Sequence, residues 1–184
     1  MKRTRSHGIQ YIAASLWDLL RLNKPSPASD APPQARPGPA RPIDAVYASL
    51  VDRMKQEHSI RVVRWRKSTS GCAWTVTYIN GRSSRLIEAP YPRGPISCAV
   101  FLHEVGHHAI GIGRYRPRCL EEYHAWKWAI DRMHAEGLNV TDSVRNRMHD
   151  ALHYAVRKAV RRGIKRLPVE LEPYLVPSDA RCLA

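Results

Sequence analysis

Two histidines and the glutamate that follows the first provide the clearest chemistry in this sequence. His103 and His107 are four residues apart, and Glu104 lies directly after His103. On a helix this spacing places both imidazoles on one face, where they can bind the same divalent cation. In HExxH sites, zinc activates a water molecule and the glutamate accepts its proton. The segment therefore predicts a zinc-dependent hydrolytic site, and Ile110 and Gly113 exclude the metzincin continuation, which has glycine and histidine there.

A catalytic zinc site of this kind needs a third protein ligand, which the next predicted helix can provide. Glu121 and Glu122 both lie near the start of that helix. Glu122 shares a helical stripe with Ala125 and Ala129, and small residues on the stripe let two helices approach closely. We therefore favour Glu122 as the third ligand. Glu121 is the alternative, and His124 is a third option.

Hydrophobic periodicity predicts the elements that position these residues. Apolar residues at helical spacing predict four helices, over residues 43–58, 96–110, 118–136 and 141–162. Three β-rich runs lie between the first two helices, over residues 60–66, 72–79 and 83–89. Turn signals at Ser70-Gly71 and Asn80-Gly81 predict that these runs form hairpins. The predicted fold class is thus α+β, with an N-terminal helix, a three-stranded antiparallel sheet, the HExxH helix and two further helices.

The two ends of the chain differ in composition from its middle. Residues 1–23 are an N-terminal extension in which apolar spacing predicts a short amphipathic helix. Residues 24–42 are rich in proline, which predicts a semi-rigid linker. A folded domain is expected over residues 43–166, and an irregular tail over residues 167–184.

The chain is strongly basic, with 30 Lys+Arg against 16 Asp+Glu and a net charge of +14 at pH 7. Six cations concentrate around the end of the last predicted helix: Arg157, Lys158, Arg161, Arg162, Lys165 and Arg166. Such a cluster can bind the phosphates of nucleic acid, although cations also favour the C-terminal end of a helix dipole. The alternative function is therefore a basic nucleic-acid-binding or regulatory protein whose metal site is structural or vestigial.

Cysteine usage and hydropathy bear on the compartment. The four cysteines form no CxxC pair, and their spacing is too sparse for a disulfide framework. No stretch approaches the roughly 18 apolar residues that a membrane span requires. The basic N-terminus resembles the start of a signal peptide, but Asp18 and Arg21 interrupt the stretch that follows. A cytoplasmic protein with reduced thiols is the expectation.

Two segments together resemble a known family. The sequence HEVGHHAIG, followed by EEYHAWKWA, resembles the ImmA/IrrE metallopeptidases. That family combines an HExxH helix with a Glu-x-x-Ala-x-x-x-Ala pattern on the next helix, which Glu122, Ala125 and Ala129 match. The resemblance implies a zincin-like domain that cleaves a protein substrate, often a repressor or antitoxin of phage or mobile-element origin. The family usually has Asn or Asp after the first of these alanines, where this chain has Trp126.

Overall fold

The computed structural model describes residues 41–178, so the N-terminal extension, almost all of the proline-rich linker and the last six residues lie outside the described residues. The predicted helix within residues 1–23 is among them. The described elements are α1 (Pro42–Glu57), β1 (Ile60–Arg66), β2 (Cys72–Thr77), β3 (Ser83–Pro90), α2 (Pro95–Ile110), α3 (Arg118–Ala135), α4 (Asp142–Arg161) and a 3-10 helix (Val169–Tyr174). This order confirms the predicted α+β class.

The three strands form a mixed sheet in the order β1-β3-β2. β2 and β3 are antiparallel and are joined by the predicted turn at Asn80-Gly81, where Gly81 has a φ of 80°, a conformation that favours glycine. β1 runs parallel to β3, with Ile60 opposite Arg85. The prediction of a wholly antiparallel sheet is therefore wrong.

The error arises at Ser70-Gly71, which was expected to close a hairpin between the first two strands. Because β3 lies between β1 and β2, the segment 67–71 instead crosses over at the end of the sheet. Turn residues report a local backbone preference, which is the same for a hairpin and for a crossover. The burial of β3 explains its central place, since consecutive buried residues are typical of a strand covered on both faces.

α2 lies at the centre of the molecule. Every residue from Cys98 to His108 is buried, because β3 and α3 both pack against this helix. All four helices begin and end within two residues of the predicted positions. The Thr141 hydroxyl accepts a hydrogen bond from the Val144 amide at 3.3 Å, as expected of a helix cap. The HExxH segment is thus part of the hydrophobic core.

Part of the tail is more regular than the sequence predicted. Residues 169–174 form the 3-10 helix, and Leu171 is fully buried against Cys119 of α3 and Val156 of α4. This contact fastens the end of α4 to the beginning of α3. Among the helices of residues 41–178, none is both long enough and apolar enough to cross a bilayer.

Candidate metal centre

Gly106 allows α2 and α3 to approach each other closely. A β-carbon at this position would lie 2.8 Å from the carbonyl oxygen of Ala125 and 3.2 Å from the ring of Trp128. Only glycine fits this contact without a shift of the α3 backbone. The close approach brings the first turns of α3, with Glu122, next to the histidines of α2.

We expect Gly106→Ala to lower the free energy of unfolding, although alanine favours a helix by about 1 kcal/mol relative to glycine. Forcing a methyl group into a packed contact costs about 1–3 kcal/mol, and the clashing atom here belongs to the backbone. Urea unfolding in the presence of EDTA would measure the change without a contribution from bound metal. Equal or higher stability of the variant would contradict the close contact.

Three side chains converge between α2 and α3. Nε2 of His103 lies 3.4 Å from Oε2 of Glu122, and Nε2 of His107 lies 3.6 Å from the same oxygen. These distances are longer than an ordinary hydrogen bond. Zinc binds imidazole nitrogen and carboxylate oxygen at about 2.0–2.2 Å, which places neighbouring corners of its tetrahedron about 3.4 Å apart. The spacing of the three atoms therefore fits a zinc ion better than direct hydrogen bonding.

Burial supports the same conclusion. His103 is 5% exposed and His107 is 2% exposed. Among residues 41–178, Nε2 of His107 has no hydrogen-bond partner and only the 3.6 Å contact with Oε2 of Glu122. A divalent cation would satisfy it. Across the described part of the chain, His103, His107 and Glu122 are a group that could hold a metal ion, with candidate ligand atoms within 4.8 Å of one another.

Glu121 contacts the other side of the His107 ring. Its Oε1 lies 3.4 Å from Nδ1 of His107, and its Oε2 accepts a hydrogen bond from the Gly113 amide at 2.7 Å. A carboxylate at Nδ1 favours the tautomer with its proton there, which leaves Nε2 available to a metal. Glu121 thus contacts Nδ1 of His107 and the Gly113 amide, whereas Glu122 belongs to the group that could hold a metal ion.

Trp126 supports the other histidine. Its ring stacks on His103 with a centroid distance of 4.5 Å and an interplanar angle of 25°. Because Trp126 is itself 2% exposed, the stacking limits the rotation of the imidazole. In the sequence, Trp126 stands out only as a departure from the family pattern. Trp126 follows Glu122 by four residues, so helical spacing alone could have placed its ring on the same side of α3, beside the predicted metal site.

The carboxylate of Glu104 is covered by the segment 67–71. A β-carbon at Gly71 would lie 2.5 Å from Cγ of Glu104 and 2.6 Å from its Oε1, so backbone rather than side chain covers the acid. Arg147 of α4 donates a hydrogen bond to the carbonyl oxygen of Thr69 at 3.0 Å, and its guanidinium lies 6.0 Å from the Trp126 ring centroid. The loop above Glu104 is thus held in place by α4. No sequence signal connected Gly71 or Arg147 to this site.

The other histidines near the site have different roles. His108 is hydrogen-bonded through Nε2 to the carbonyl oxygen of Leu86 at 3.0 Å, which fastens α2 to β3. His124 stacks on Tyr115 with a centroid distance of 3.9 Å. Neither belongs to the group that could hold a metal, so the structure does not place His124 as a ligand.

The buried charges of the centre determine its protonation. Burial opposes the charged form of His107, but the carboxylates of Glu122, Glu121 and Glu104 outweigh it and raise the pKa of His107 to about 10. Burial, reinforced by the nearby His107 charge, lowers the pKa of His103 to about 4. Although burial opposes ionisation, the two histidines hold the pKa of Glu122 well below its usual value. At pH 7, in the absence of metal, His107 is therefore the charged imidazolium, His103 the neutral imidazole and Glu122 the carboxylate.

We expect zinc binding near pH 7 to release at least one proton, because a histidine ligand must be neutral. The pKa of His107 lies above this pH, so the metal has to displace its proton, and the apparent affinity should rise at least about tenfold per pH unit between roughly pH 6 and 8. Calorimetric titration with zinc in buffers of different ionisation enthalpy would count the protons. Binding without proton release would contradict the assignment of the charge to His107.

Comparison with known proteins adds no further assignment. No family model, no characterised protein and no solved structure matches this chain. The likeness to the ImmA/IrrE metallopeptidases therefore depends on the two sequence segments alone. The structure adds independently that the residues of these segments meet at one point.

Proposed function

We propose that this protein is a zinc-dependent metallopeptidase that hydrolyses a peptide bond in a protein substrate. The observation that carries the proposal is the convergence of His103, His107 and Glu122 within 4.8 Å, with Glu104 adjacent to the first ligand on the same helix. Three protein ligands leave one coordination position open, which distinguishes catalytic zinc sites from structural ones. Zinc is favoured among divalent ions because the donor set is two imidazoles and one carboxylate.

Each residue of the centre has a defined part in this proposal. Bound here, zinc would supply a water molecule whose pKa is lowered to about 7 and would polarise the carbonyl of the scissile bond. Glu104 accepts the proton of the attacking water at its carboxylate and transfers it to the leaving amine. Glu121 and Trp126 keep the two imidazoles in their binding orientation. The backbone at Gly71 restricts the access of bulk water to Glu104.

The sheet offers a surface for the substrate backbone. β3 is the central strand of the sheet, and β1 and β2 are its edges. β2 begins at Cys72, directly after the glycine that covers Glu104. An extended peptide that pairs with the free edge of β2 would pass beside Glu104. The family resemblance and the cysteine usage lead us to propose a cytoplasmic protein substrate such as a repressor or antitoxin.

Cleavage of a peptide library tests the proposal. Purified protein should contain about one equivalent of zinc, and mass spectrometry of library peptides should reveal new termini that EDTA suppresses and added zinc restores. Supplying manganese or cobalt to the metal-free protein would compare zinc with other ions. If the zinc-loaded protein cleaves no more peptides than its Glu104→Gln variant, the proposed function is wrong.

A further inference from the structure

The C-terminal end of α4 carries positive charge that the described residues do not neutralise. We refer to its six cations as the α4 basic cluster: Arg157, Lys158, Arg161, Arg162, Lys165 and Arg166. Within residues 41–178, no member of the cluster forms an ion pair with an acidic residue. The lysines and arginines that do form such pairs are Arg41, Arg53, Arg64, Arg66, Arg118, Lys127 and Arg132. Even the acidic residues of the neighbouring 3-10 helix form no ion pair with the cluster. As far as residues 41–178 are concerned, the cluster is therefore available to an anionic group.

The cluster adjoins the metal centre. The end of α4 packs against the first turn of α3, where Val156 and Cys119 share a small hydrophobic cluster. Arg118 begins that turn and donates to Oε1 of Glu122 at 3.2 Å, while its side chain remains 40% exposed. Burial lowers the pKa of Lys158, and the positive charges of Arg162 and Arg118 lower it further. A series of cations thus extends from Arg118, which pairs with Glu122, to the end of α4.

The helix dipole explains only part of this arrangement. A cation in the last turn stabilises a helix by about 0.3–1 kcal/mol, and the effect falls off beyond that turn. Lys165 and Arg166 lie past the end of α4, and the neighbouring cations repel one another. The helix dipole therefore leaves Lys165 and Arg166 unexplained.

We propose that the α4 basic cluster docks an acidic segment of the protein substrate, from which the chain continues past Arg118 into the metal centre. This inference rests on the proposed peptidase function. Charge complementarity selects an acidic occupant. A protein is favoured over a nucleic acid because the cluster is continuous with the residues that act on the peptide bond.

A binding experiment with inactive protein tests the docking site without depending on cleavage. The zinc-loaded Glu104→Gln variant would be titrated against a short fluorescein-labelled peptide of alternating glutamate and glycine. A lysine-glycine peptide and a short DNA duplex serve as the other probes. The acidic peptide should bind best, and adding Arg161→Glu and Arg162→Glu should weaken its binding by about tenfold or more.

The matched control reverses the charge at two exposed positions of the sheet region, by Arg61→Glu and Arg82→Glu. It changes the net charge of the protein by the same amount as Arg161→Glu and Arg162→Glu. It should alter binding by less than about twofold, because only general attraction is reduced. If Arg161→Glu and Arg162→Glu disturb the fold, as judged by circular dichroism, the pair Arg161→Gln and Arg162→Gln provides the same comparison with a smaller change.

The outcomes separate the docking site from the peptidase. Equal losses in the two variant pairs, no binding of the acidic peptide, or stronger binding of the duplex through Arg161 and Arg162 would each overturn the docking proposal. Because binding is measured in a protein that cannot cleave, failure of the wild-type protein to cleave any peptide would refute the peptidase function and leave the docking result intact. In an active enzyme, the charge reversals Arg161→Glu and Arg162→Glu should raise KM for acidic substrates and leave kcat nearly unchanged.

Discussion

Replacing Glu104 with glutamine is expected to lower kcat by about 10²–10⁴-fold while the protein keeps its zinc. The amide has nearly the shape of the carboxylate and fits the same space beneath Gly71. It cannot accept a proton, so the water that attacks the scissile carbonyl would lose its base. The rate on a peptide identified from the library and the metal content of the same preparation would be measured together.

Glu57→Gln provides a matched control for this substitution. Glu57 is a half-exposed carboxylate at the end of α1 that pairs with Arg132, and it has no place in the metal centre. Its replacement should leave both kcat and zinc content unchanged. Full activity of Glu104→Gln would contradict the role of Glu104 as the base. Loss of zinc from Glu104→Gln would instead make Glu104 a ligand.

The second large effect is expected at the two consecutive glutamates of α3. Glu122→Gln removes a negative charge from the group formed with His103 and His107, and should lower zinc affinity by more than about 100-fold. Glu121→Gln should lower it by about 10–100-fold, the range typical of residues that orient a metal ligand. The two substitutions are chemically identical and only one residue apart, so a difference between them reports on position alone.

Competition with a chromogenic chelator would measure both affinities. Glu121→Gln retains an oxygen that can accept the hydrogen bond from Gly113, which keeps its structural cost small. The activity of this variant should return at saturating zinc, whereas that of Glu122→Gln should not. A larger loss for Glu121→Gln than for Glu122→Gln would make Glu121 the ligand and refute the assignment of Glu122.

The helices and the residues of the centre could be predicted because their signals are local. Hydrophobic periodicity and caps set the ends of the helices within two residues of the observed ones. Two features within single helices led to His103, His107 and Glu122: a four-residue spacing, and a stripe of small residues beside an acid. The structure brings these three residues together, as the spacing and stripe arguments anticipated.

Features that depend on distant parts of the chain could not be predicted in this way. The order of the strands depends on which strand is covered on both faces, and the turn at Ser70-Gly71 carries no information about that. The packing of Gly71 over Glu104 depends on Arg147, which reaches Thr69 from α4. The role of Glu121 depends on an amide that lies beyond the end of α2, at Gly113.

The burial of α2 from Cys98 to His108 would couple a metal bound there to the stability of the whole domain. The helix that carries His103 and His107 is also the one around which β3 and α3 assemble. A cation that binds only the native arrangement at 100 times its dissociation constant adds about 2.7 kcal/mol to the free energy of unfolding. If the proposed zinc site is filled, chelation should therefore lower the free energy of unfolding of the whole domain as well as remove the proposed activity, and the rate of proteolysis should depend on zinc occupancy.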